Sequence, residues 1–141
     1  MLGCVFRCWG DRFDLDLALE RAGWTPERSW HRGEDGHETT GFALAVSEAP
    51  DLVTHQREAR AFLDRHDRWI AALRTSHRAD GARLDFLIAS RLGGDVLAHA
   101  ETFPASLLHR LGELAVDLEV TLVDGPRFDR ETWVRVLDHP N

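Results

Sequence analysis

The amino-acid sequence predicts an α+β fold, a mostly antiparallel sheet with helices packed on one face. Two observations carry this. Between Arg83 and Asp124 the apolar residues recur at a period of two, then of nearly four, then of two again. Along the whole chain, strands joined by turn-forming residues alternate with helical segments, in the order β-α-β-β-α-β-β-α-β. A chain of 141 residues with 43% hydrophobic residues suits one domain with one real core. That domain is expected to span residues 1–141, with its core over 2–124 and a C-terminal extension over 125–141.

Leu2 to Trp9 reads as the first strand, with Leu2, Cys4, Phe6 and Cys8 facing the core. Asp14 can cap a helix that runs to Ala22, where Gly23 and then Pro26 stop it. Residues 27–47 form a hairpin. Its short strand, Ser29 to Arg32, contains Trp30, and Gly33-Glu34-Asp35-Gly36 is turn chemistry. The return strand, Thr40 to Ser47, puts Phe42, Leu44 and Val46 on one face. From Asp51 to Ser76 an apolar stripe of Ala59, Phe62, Leu63, His66, Ile70 and Leu73 predicts one long helix or two shorter ones divided near His66.

In the block from Arg83 to Asp124, Leu84, Phe86 and Ile88 alternate with Asp85, Leu87 and Ala89, as expected for a central strand. Gly93-Gly94-Asp95 reads as a hairpin turn into a strand over Val96–Ala100. Pro104 opens a helix carrying Leu107, Leu108, Leu111, Leu114 and Ala115. A closing strand then points Leu118, Val120 and Leu122 inward and Asp117, Glu119 and Thr121 outward. In the tail, Asp129 can cap a short helix with Trp133, Val134 and Leu137 that docks on the body. The pairs Phe13/Phe103, Leu17/Leu107 and Ala18/Leu108 stand at one constant offset, which an internal duplication and chance explain equally well.

Net charge is −7, from 24 carboxylates against 17 basic residues, and every basic residue is Arg. An Arg-only basic set is what GC-rich codon usage produces. These arginines are scattered among acids rather than gathered in a stripe, so no nucleic-acid partner is expected. Cys4 and Cys8 lie four apart in one strand, roughly 13 Å by the rise of a strand, beyond the reach of a disulfide. Buried free thiols suit a reducing compartment, and no apolar run reaches the length of a membrane span. A cytoplasmic protein with no membrane partner is the expectation.

The order of motifs resembles the bacterial domain-of-unknown-function family 4279. The residues that carry the resemblance are Phe13-Asp14-Leu15, Ala22-Gly23-Trp24-Thr25-Pro26, Gly33-Glu34 after the Trp30 strand, and the closing Leu107-Leu108, Leu111, Leu114-Ala115 and Leu118-Glu119-Val120 unit. With the first strand, which also carries it, the resemblance covers about residues 4–124. The resemblance implies a small cytoplasmic protein and, because some members are encoded beside polymorphic toxins, an immunity role. It implies no catalytic residues.

The residues themselves point to no reaction. The histidine pairs His31/His37, His55/His66 and His99/His109 lack metal-ligand spacing, so no metal is expected. No G-x-S-x-G, dinucleotide fingerprint or phosphate loop occurs, and no cofactor is expected. The functional reading is therefore a non-enzymatic protein-binding domain of the immunity type, facing a basic toxin domain. Asp117, Glu119 and Asp124, with Glu34 and Asp35, are the candidate charged contacts, and Trp30 is the candidate anchor. The second reading is a small-molecule-binding or regulatory domain. A third, an enzyme using His66 with Asp67, requires a deep polar pocket around those two residues.

Overall fold

A computed structural model describes residues 3–127 and 129–138. Its elements are β1 (Gly3–Gly10), α1 (Leu15–Ala22), β2 (Arg28–Trp30), β3 (Thr40–Ser47), α2 (Leu52–Arg65), α3 (Asp67–Thr75), β4 (Gly81–Ser90), α4 (Ala105–Glu113), β5 (Asp117–Asp124) and α5 (Arg130–Asp138). The five strands form one sheet in the order β2-β3-β1-β4-β5. Pairing is antiparallel throughout, except that β4 and β5 are parallel. The first four strands thus reproduce the split βαβ arrangement, and α4 adds β5 through a parallel crossover. The α+β class and the mostly antiparallel sheet expected from the sequence are present.

Residues 52–76 divide into two helices at His66, whose ψ of 19° breaks the helical run. The strand expected over Val96–Ala100 is absent. Gly93 and Gly94 do turn the chain, but only the single bridge between Gly93 and Val96 forms. Leu97 is 92% exposed, so this segment finds no apolar surface on which a ladder could grow. It is held instead at its far end, where the Gln56 side-chain amide donates to the carbonyl of Thr102 at 2.8 Å.

Helix ends follow local chemistry. The Asp14 and Asp51 carboxylates accept the N–H groups of Leu17 and Thr54, capping α1 and α2. Asp129 accepts the N–H of Thr132 in the same way at α5. Gly23 closes α1 with a φ of +75°.

The main core lies between one sheet face and helices α1 to α4. Cys4, Phe6 and Cys8 of β1, Phe42 of β3, and Leu84, Phe86 and Ile88 of β4 meet Leu63, Ile70, Leu73, Leu107 and Leu111 there. Phe6 sits at its centre, with ring centroids 6.0 Å from Phe42, 5.4 Å from Phe62 and 6.3 Å from Trp69. Leu2, expected on the same face, lies outside the described residues. Helix α5 packs on the reverse face of the sheet. Trp133 and Leu137 of α5 pack there with Val5, Trp30, Ala43 and Leu87. A methyl group on Gly3 would strike the Trp133 ring and one on Gly41 the Trp30 ring, so these glycines are seats for indoles.

Between α4 and β5 the chain makes a Schellman turn, in which Val116 N–H donates to Leu111 and Ala115 N–H to Gly112. Ala115 takes the left-handed position with a φ of +53°, where a Cβ is strained. Replacing Ala115 with Gly is expected to stabilise the fold by about 0.5–1 kcal/mol, measured by denaturant unfolding at unchanged m.

Candidate functional site

The five-strand order decides where the predicted contact residues lie. β2 and β5 are the two edges, four strand spacings apart, or about 19 Å. Trp30 belongs to β2, and Glu34 and Asp35 to the turn that follows it, whereas Asp117, Glu119 and Asp124 all belong to β5. The six residues therefore form two separate groups. Within the first, Trp30 is only 5% exposed and stacks on His37 with centroids 5.2 Å apart, so it serves as core and not as a projecting anchor. Glu34 folds back to accept the N–H of His31, and Asp35 takes a left-handed turn conformation with a φ of +48°.

The second group lies on an open edge. β5 pairs with β4 from Arg83↔Asp117 to Ser90↔Asp124 and has no strand on its other side among the described residues. Its register sets Leu118, Val120 and Leu122 beside Leu84, Phe86 and Ile88, on the face that the sequence assigned to the core. They are not buried, however. Leu118 is 37% exposed, Val120 42% and Leu122 64%, against 4% or less for their β4 neighbours. Helix α4 turns Leu107 and Leu111 into the core and leaves the outer half of this face uncovered, with Leu108 also exposed.

Charge frames this apolar strip. Asp117 and Asp124 are exposed at the two ends of β5, the latter 3.4 Å from Arg127. Glu119 points to the reverse face, where the Arg83 guanidinium donates to it at 2.6 Å and lies 4.8 Å over the Trp9 ring. Leu118, Val120 and Leu122 are the site residues that the sequence did not assign to a surface. Their alternation was legible, but the missing helix above them was not.

The reverse face beside β5 holds a buried charge pair. Arg7 of β1 and Asp85 of β4 are 3% and 1% exposed, and their charged atoms lie 3.9 Å apart. The Thr121 hydroxyl donates to Asp85 at 2.8 Å. Arg7 donates to the carbonyls of Val136 and Leu137, at the C-terminal end of α5, where a cation also complements the helix dipole. Burial raises the pKa of the Asp85 carboxyl, against the lowering effects of the Thr121 hydrogen bond and of Arg7. These groups and Glu119, Arg135 and Val136 border a cavity of about 330 Å³ under α5.

The other candidates resolve into structural roles. Cys4 and Cys8 are buried free thiols, and burial raises both pKa values, which opposes a thiolate nucleophile. His66 packs edge-on against Trp24 and Trp69 and tilted against Phe62, while the Asp67 carboxylate is engaged by Arg110 at 3.1 Å. His66 and Asp67 thus do not act on one another. Among the described residues, no group of three or more His, Cys, Asp or Glu is placed to hold a metal, and no helix is long and apolar enough to cross a membrane. No protein-family model matches the chain, and no curated protein or solved structure shows significant similarity to it.

Removing Asp85 takes one carboxylate from a guanidinium that the α5 carbonyls still engage. Asp85→Ala is therefore expected to cost about 1–3 kcal/mol in urea unfolding, and Arg7→Met, which also releases α5, clearly more. His55 gives a second handle. It is buried, its Nδ1 lies 2.7 Å from the Ser47 hydroxyl, and burial lowers its pKa despite the opposing carboxylates of Glu58 and Asp51. The unfolded chain therefore binds a proton that the folded chain resists, and stability present above about pH 6.5 is lost as pH falls through that value. The melting temperature should drop between about pH 7.5 and pH 5.5, and His55→Leu should flatten that drop in part, His66 having a lowered pKa too.

Proposed function

We propose that this chain is a non-enzymatic protein-binding domain of the immunity type, and that its β5 edge is the docking surface. The observation that carries the reading is the exposed run of Leu118, Val120 and Leu122 on a strand with one unpaired edge. Such an edge offers backbone donors and acceptors to an added strand, with alternate side chains for specificity. Asp117 and Asp124 at its ends select the occupant. An antiparallel second copy centred on this strand would set Asp117 against Asp124, like charge against like. A basic, extended segment of a different protein fits, and the net charge of −7 favours its approach.

The partner implied by the resemblance to family 4279 is a toxin encoded by an adjacent gene. Its purified product should bind this chain with an association rate that falls as salt rises. Asp117→Arg/Asp124→Arg should slow association by about tenfold or more, and Val120→Asp should speed dissociation, with the fold intact by circular dichroism. A neighbouring product that does not bind, or that binds all three proteins equally, overturns the reading.

A further inference from the structure

At the far end of β1, away from the cavity under α5, two loops meet around an open concavity of about 530 Å³ lined by Asp11, Arg12, Arg74, Arg78, Ala79 and Asp80. The loops are tied together by backbone. Asp80 N–H donates to the carbonyl of Trp9, Asp14 N–H donates to that of His77, and Asp11 N–H donates to the Asp80 carboxylate, each at 2.8 Å. Gly10 permits this approach, because a Cβ there would lie 2.9 Å from the Asp80 nitrogen and 3.0 Å from the Arg78 oxygen. The mouth is therefore held in shape before any ligand arrives.

Three arginines line this one opening in a protein of net charge −7. Among the described residues, no carboxylate lies within ion-pair distance of Arg12, Arg74 or Arg78, although Asp11 and Asp80 share the same walls. Arg78 has a φ of +62°, a conformation in which a long L side chain is strained and which Gly would adopt freely. Folding alone favours Gly at this position, so Arg78→Gly removes the side chain at no cost to the fold.

We propose that this concavity is a binding site for a phosphate-bearing small molecule, with Arg12, Arg74 and Arg78 receiving the phosphate oxygens. The guanidinium fork matches phosphate geometry, and three of them exceed what a lone carboxylate can engage. Asp11 on the same wall would offer a carboxylate acceptor to a ligand hydroxyl. A volume of about 530 Å³ is that of a small-metabolite site. The site is independent of the β5 edge, and its test involves no protein partner.

The test is titration of the full chain with inorganic phosphate and pyrophosphate at constant ionic strength, followed by amide chemical shifts, with acetate as the carboxylate arm. Saturable shifts at Asp11, Ala79 and Gly81, with a dissociation constant of about 1 mM or tighter for phosphate or pyrophosphate and weaker for acetate, are expected. Arg78→Gly should lower that affinity by about tenfold or more while the melting temperature stays level or rises. Arg12→Gln/Arg74→Gln should lose saturable binding. Absence of saturable shifts, equal affinity for acetate, or unchanged binding in Arg78→Gly overturns the proposal.

Discussion

The structure depends on β1 being hydrogen-bonded on both sides and covered on both faces. It pairs antiparallel with β3 from Cys4 to Gly10 and with β4 from Gly3 to Trp9. Its even residues, Cys4, Phe6 and Cys8, enter the main core, and Val5 enters the smaller one. Arg7 occupies the same reverse face, and an unpaired charge there would cost several kcal/mol. Asp85 on the neighbouring strand and the carbonyls at the end of α5 help to offset that cost. The buried Arg7 guanidinium thus joins the β4 reverse face to the end of the last helix.

A sheet closed around its centre leaves its liabilities at the edges. β2 is only three residues long, and its indole is tucked over Gly41, so that edge offers little to a partner. β5 is eight residues long, with apolar side chains on one face and carboxylates at both ends. Acidic ends discourage self-pairing without hiding the apolar strip. The arginine-lined concavity sits at a loop junction, where backbone ties hold side chains that the core does not need.

Most of the element order was legible because it rests on local rules. Asp14, Asp51 and Asp129 cap helices, Gly23 ends one, and the two-residue period of Phe42, Leu44 and Val46 sets the face of β3. The strand expected at Val96–Ala100 failed because turn residues propose a hairpin, whereas a ladder requires an apolar surface beneath it. The six candidate contact residues do not form one group. Nothing in the residues from Trp30 to Asp124 says that β2 and β5 stand at opposite edges, since strand order is set by long-range pairing.

By itself, the sequence determined the fold class, the faces of its strands and most helix boundaries, because side-chain period and capping chemistry act over a few residues. Tertiary structure alone decided three things. It made Trp30 core, because Gly41 on the adjacent strand leaves room for an indole. It left Leu118, Val120 and Leu122 in solvent, because a face is buried only where another element reaches it. It also set Arg12 beside Arg74 and Arg78, which are more than sixty positions away in the chain, because β1 ends where α3 hands over to β4.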